Sequence, residues 1–179
     1  MRFLLFFSIV LIACTNDPNL VQEFVSDKEQ AIEQIKEAEL LHTENGKIKV
    51  RIITGKIERF QNMQPQLIFS ENLEVYFYND SSQLQSTLKA DDGSIDEEKK
   101  IMLAQNNVEL VSSDDKRLET EELVWDEKNN KIYTDKKVKI TTGKEVIYGE
   151  GFTSNPDFTE YSITKIHGTF DFKSEQIKF

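Results

Sequence analysis

Cysteine occurs once in the 179 residues, at Cys14, so no intrachain disulfide can form. Histidine occurs twice, as His42 and His167, far apart in the chain and in no recognisable motif. No Gly-x-Ser-x-Gly, phosphate loop or His-Glu-x-x-His is present. The adjacent carboxylates Asp114-Asp115 and Glu121-Glu122 would point to opposite faces of a strand, so neither pair can work as an acid–base dyad. The acidic run of Asp91, Asp92, Asp96, Glu97 and Glu98 lacks the alternating ligand spacing of a calcium loop, and reads as a solvated hairpin tip. Enzyme chemistry, a metal site and a cofactor are therefore not expected. Positive charge is also short: 22 Lys and Arg face 32 Asp and Glu, for a net charge of -10. That balance leaves no basic stripe for nucleic acid or an anionic membrane surface.

Long apolar runs are equally scarce. Only residues 3–13, following Arg2, form one. As a helix this run would reach about 16 Å, roughly half of a ~30 Å hydrocarbon core. It is too short to span and has the form of a signal peptide over residues 1–13. Its end, Leu11-Ile12-Ala13-Cys14, resembles a bacterial lipobox, which implies cleavage before Cys14 and lipid on its sulfur and amine. The plainer reading of Cys14 is a small apolar residue ending a hydrophobic segment. Lipidation would remove a lone thiol from an oxidising compartment, and two or three acyl chains hold a protein stably on a membrane.

Beyond Cys14 the chain is polar and suits a tether over residues 14–39. Ala31, Ile32, Ile35 and Ala38 fall at helical spacing, with Ser26 and Glu29 able to form a capping box, so a short helix is expected over residues 25–39. From Leu40 the period changes to two. Asn45-Gly46 is the strongest hairpin signal. After it Ile48, Val50 and Ile52 alternate with Lys47, Lys49 and Arg51. That basic face is either a rim contact for phosphate or acidic partners, or a solvated face paired with a Glu-rich neighbour. Pro65 marks the edge or start of a strand, because proline cannot donate to a ladder. Leu73, Val75 and Phe77 then face one way, with Glu74, Tyr76 and Tyr78 the other. Residues 84–90 return the chain, and 101–104 and 108–111 read as a pair joined by a turn at 105–107.

The densest alternation lies over residues 117–151. Leu123 with Trp125, Ile132 with Thr134, Val138 with Ile140, and Ile147 mark short strands, separated by polar turns at 126–130, 134–137 and 142–144. Gly149 and Gly151 suggest a bulge or a close backbone approach. Residues 158–166 and 168–172 complete about nine to twelve strands at roughly ten-residue intervals, the spacing of a sandwich, jelly roll or barrel.

The run Leu118-x-Thr120-x-x-Leu123-x-Trp125, Ile132-Tyr133-Thr134-Asp135-x-x-Val138-x-Ile140, Ile147-x-Gly149-x-Gly151-Phe152 and Asn155-Pro156-Asp157-Phe158-Thr159 resembles the LptC family of lipopolysaccharide export proteins, in its Bacteroidetes form. Leu73-x-Val75-x-Phe77-Tyr78 and Leu88-x-Ala90-Asp91 resemble it too, so the similarity spans roughly residues 40 to 170. The resemblance implies an all-β fold over residues 40–179, a twisted antiparallel β-jelly roll open like a slot. It implies a lipid-anchored protein at the periplasmic face of a Gram-negative inner membrane. Lipopolysaccharide would pass to it from the LptB/LptF/LptG transporter and on to an LptA-like bridge. Familiar members carry a transmembrane helix where this chain has a lipobox.

The residues read as inward are Val50, Ile52, Leu73, Val75, Phe77, Leu88, Leu103, Val108, Leu110, Leu123, Trp125, Ile132, Val138, Ile140, Ile147 and Ile163. They either form an ordinary core or include a subset that lines a groove for acyl chains. The resemblance implies that a free C-terminal edge pairs with the bridge protein; it would include Phe158, Tyr161, Ile163, Ile166 and Phe170, with Phe170, Phe172 and Phe179 either exposed there or buried. Two other readings stay open: a lipoprotein that carries a different amphiphile, and a structural or adhesion β-sandwich with no ligand.

Overall fold

Ten strands and no helix make up residues 31–143 and 145–167, the part of the chain that this computed structural model describes. They are β1 (Glu33–Glu44), β2 (Lys47–Arg59), β3 (Leu67–Tyr78), β4 (Leu84–Ala90), β5 (Asp92–Asp96), β6 (Ile101–Ser112), β7 (Arg117–Asp126), β8 (Lys131–Thr141), β9 (Val146–Ser154) and β10 (Tyr161–His167). Every pairing is antiparallel, and apart from β3 with β5 and β4 with β6 each joins chain neighbours, so the sheet is a meander running from β1 to β10. β4 and β5 are two halves of one line: both pair with β3 and β6, on opposite sides of a break at Asp91. Among the described residues β1 and β10 each have one neighbour and are the free edges.

The period of two makes this sheet. On β3, Leu67, Phe69, Leu73, Val75 and Phe77 are buried while the residues between them are not. Asn45 and Gly46 join β1 to β2 with φ of 51° and 75°, the positive values a type I′ turn demands.

A single line of irregularities crosses the whole sheet. It starts at Glu37 (φ 51°), passes the register shift between Thr54 and Lys56, and continues through Glu71 and Asn72 (φ 63° and 70°) to the break at Asp91. Asp91 N–H donates to the Asn106 carbonyl, 3.0 Å, beside Asn107, and both asparagines have positive φ. The line goes on through register shifts between Thr120 and Val124 and between Thr134 and Lys137, and reaches Gly151 at φ 78°. Bulges add local twist and bend a strand. Stacked strand upon strand they crease the sheet, and its two halves fold face to face as a jelly roll. Phe77 on β3 meets Trp125 on β7 edge-on at 5.4 Å across that fold, although the two strands are not neighbours.

On β7 and β2 an extra residue changes strand parity without turning the core outward. The inner positions of β7 run Leu118 and Thr120, then Leu123. Those of β2 run Val50, Ile52 and Thr54, then Ile57.

Several expectations need correction. Residues 33–39 are strand, not helix, because Ala38, Leu40 and His42 turn inward at period two while Ile32 and Ile35 are exposed. The first strand thus begins at Glu33 rather than after Leu40. Half of the acidic hairpin tip is β5: pairing on both sides outweighs the poor strand propensity of Asp and Gly, and the turn itself lies at 97–100. The turns at 105–107 and 134–137 are bulges within β6 and β8. Leu103 faces away from the core: the buried positions of β6 are Met102, Ala104, Val108, Leu110 and Ser112, one parity on both sides of the shift. Pro65 lies in the loop before β3. The signal peptide, Cys14 and the start of the expected helix lie outside the described residues.

At the crease Gly55 has no room for a side chain: a Cβ there would come within 2.4 Å of the Glu71 carbonyl oxygen. Gly55→Ala should lower unfolding stability by about 1–3 kcal/mol in urea denaturation. Gly143→Ala, where a Cβ meets nothing within 4 Å, should change it by less than about 0.5 kcal/mol.

Candidate functional site

The crease closes one side of the roll, so any vacancy between the two halves lies away from it. In the middle the inner faces are filled. Leu73, Val75, Leu110, Leu118, Ile132 and Ile140 are all 0% exposed. A gap of only about 10 Å³ remains beneath Trp125, among Phe77, Leu88, Leu123 and Ile132.

The β9–β10 end is plugged. Phe152 on β9, Phe158 in the following loop and Tyr161 on β10 pack with ring centroids 5.2–6.1 Å apart. Ser86 on β4 donates to the Pro156 carbonyl at 2.7 Å and ties this loop across the fold.

The β1–β2 end is open. A cavity of about 340 Å³ lies there, mostly apolar, between Leu40, Val50 and Ile52 on one half and Leu67, Ile95 and Met102 on the other. A second, of about 360 Å³ and more polar, adjoins it between Phe77 and Tyr78 on one side and Asn130 and Pro156 on the other. His42, Val50, Trp125 and Glu127 border both. The pair forms a slot mouth of the size that small apolar ligands occupy.

Charge rings this mouth unevenly. Among the described residues Glu44, Asp80, Glu97, Glu127 and Asp157 line it against two lysines, Lys49 and Lys100. Both lysines are already paired, Lys49 with Asp80 and Lys100 with Glu127 at 2.8 Å. Hydrogen bonding to Lys49 holds the Asp80 carboxyl below the usual carboxylate range, and Glu127 raises Lys100 above an ordinary lysine. The basic face of β2 is likewise answered within the chain: Lys47 Nζ donates to the Asp80 carbonyl at 2.6 Å and Arg51 Nε to Glu39 at 2.7 Å.

The residues read as inward thus divide. Val50, Ile52, Phe77 and Trp125 border the mouth, and Leu88, Leu123 and Ile132 the small gap below it. Leu73, Val75, Leu110 and Ile140 are core, Val108 and Val138 are buried at the crease, and Ile147 and Ile163 pack half-buried on the core. Leu103 is on the other face. Of the residues assigned to the C-terminal edge, Ile166 is exposed on β10, while Tyr161 and Ile163 lean on the core. Phe158 is 0% exposed and is a plug, not an edge residue; a large apolar ring in a loop packs under the sheet when the roll leaves an end to fill. Phe170, Phe172 and Phe179 lie outside the described residues.

Leu40, His42, Ile95 and Met102 were missed as mouth residues. Their period-two signal was present on β1, but the helical spacing of the residues before it masked it. On β6, Ile101 and Leu103 are as apolar as Met102, so alternation there had two solutions.

The class that fold and site define is a creased, open-ended antiparallel roll with an apolar mouth at one end. The model of the family described as lipopolysaccharide-assembly, LptC-related matches residues 3–163, most of the chain. The chain belongs to the LptC family. No curated protein matches it. Membership gives it a role in lipopolysaccharide transport, in a family that is periplasmic, associated with the inner membrane and built for transport and bridging rather than catalysis.

Phe158→Ala should cost about 3–5 kcal/mol of stability, as removal of a fully buried ring does. Ile166→Ala, at an exposed edge position, should leave the melting temperature within about 2 °C.

Proposed function

We propose that this protein is the lipid-anchored component that accepts lipopolysaccharide from the LptB/LptF/LptG transporter and hands it to an LptA-like bridge protein. The observation that carries this reading is the asymmetry of the roll: vacant and apolar at the β1–β2 end, plugged by aromatic rings at the other. Acyl chains enter beside Trp125, Val50 and Ile52, where burial at about 25 cal/mol per Å² stabilises them without specific hydrogen bonds. The family's LptF and LptG would stand at that end. Because the centre is packed, chains occupy the mouth and are held loosely enough to be passed on.

The free edge of β10 is the surface for the bridge, through strand addition. Ser162, Thr164 and Ile166 are exposed along it. Lipid on Cys14 keeps the roll at the membrane; two or three chains suffice. The acidic balance of the chain fits a binder that gains affinity from acyl chains rather than from phosphates.

A photoreactive residue at Phe77 or Trp125 should crosslink lipopolysaccharide, while one at Glu74, on the outer face and bonded to Lys89 at 3.1 Å, should not. Equal labelling of both faces, or none, would remove the transport reading. For the edge, Ser162→Lys with Ile166→Lys should weaken capture of the bridge protein by at least about tenfold, as charged gatekeepers do on free strands. Undiminished capture by a protein that melts normally would refute the assignment.

A further inference from the structure

Two polar atoms at the slot mouth are covered by neighbouring atoms and yet have no hydrogen-bond partner: His42 Nε2 and Trp125 Nε1. Among the described residues they are the buried side-chain nitrogens and oxygens left in that condition. Buried polar groups are nearly always satisfied, and the exceptions call for an explanation. These two come from strands far apart in sequence, β1 and β7, and their side chains border the same pair of cavities. The nearest carboxylate to His42, Glu44, stands 3.6 Å from Nε2, beyond hydrogen-bond reach. An indole N–H can only donate, so what it lacks is an acceptor.

The surroundings narrow the acceptor. A phosphate or carboxylate would meet a mouth lined by more carboxylates than lysines, with each lysine already engaged. An uncharged oxygen meets no such opposition. Its position is also defined: the apolar cavity lies on one side of Trp125 and His42, and the polar one on the other. An amphiphile whose chain fills the first and whose polar part occupies the second places its linkage between them.

We propose that Trp125 Nε1 and His42 Nε2 recognise the uncharged linkage of an acylated amphiphile, an amide or ester carbonyl or a hydroxyl on the chain, while the acidic rim keeps its anionic groups outside. Insertion turns the two rings so that their nitrogens meet the linkage oxygen, a side-chain motion that needs no change in the sheet. The mouth then prefers an acylated lipid over a plain alkyl chain of equal length, which burial alone cannot do. This inference rests on the slot being a lipid site and adds what that site reads.

The test compares two uncharged twelve-carbon probes, N-dodecanoyl-N-methylglucamine, with an amide, and dodecyl glucoside, with an ether. The full chain is held in vesicles of ether-linked phosphatidylcholine, which carries no acyl carbonyl, and binding of each radiolabelled probe is measured by equilibrium dialysis above a vesicle-only blank. The native protein should favour the amide by about tenfold, the effect of a satisfied buried hydrogen bond. Trp125→Phe and His42→Leu should each bring the amide-to-ether ratio close to one, whatever change each makes in binding of the ether, and His42→Gln should keep part of the preference. Equal binding of the two probes to the native protein, or a preference that survives Trp125→Phe, overturns the inference and leaves the slot a general lipid site. Neither probe bound above the blank overturns the slot reading as well.

Discussion

The line of bulges from Glu37 to Gly151 is the constraint on which the rest of this protein depends. A flat ten-stranded meander would have one apolar face and nothing to cover it. Interrupting each strand at the same level lets the sheet cover that face with itself. Several residues at the crease suit it: asparagine at 72, 106 and 107 and glycine at 151 tolerate positive φ, and glycine at 55 leaves room for the Glu71 carbonyl, although Glu37 and Glu71 take positive φ as well. Because each interruption sits opposite the next, the crease belongs to the strand pairing as a whole and not to any one turn.

Function follows from what the fold leaves unfinished. A crease closes a roll along one side only, so the opposite side and the ends must be filled by side chains or remain open. At the β9–β10 end three aromatic rings fill it; at the β1–β2 end, among the described residues, no such cluster closes the space beside Trp125. The same topology leaves β1 and β10 with one neighbour each. An apolar opening and, among the described residues, an unpaired edge at opposite ends of the strand order support the proposed place in a lipid relay.

Much of this was legible in the chain. Alternation identified the inner faces of β2, β3, β7 and β8, and Asn45-Gly46 located the first hairpin. Spaced matches over the C-terminal half led to the family. What misled was local ambiguity. Apolar residues around the start of β1 fell at helical spacing, although Ile32 and Ile35 end up exposed and Ala38 turns inward on an edge strand. Ile101 and Leu103 competed with Met102 for the core face of β6. The polar segments at 105–107 and 134–137 look like turns, because a bulge and a turn use the same residues. Only a partner strand on each side distinguishes them.

The sequence by itself determined the β class, most of the inner residues and the kinship with LptC, because strand alternation and motif spacing are local properties that survive in a linear string. Tertiary structure alone decided that the bulges align into a crease, that Phe158 is a plug, and that the vacancy lies at the β1–β2 end, with His42 Nε2 and Trp125 Nε1 lacking hydrogen-bond partners beside it. Those facts depend on which distant residues come face to face, and no local pattern along the chain carries that information.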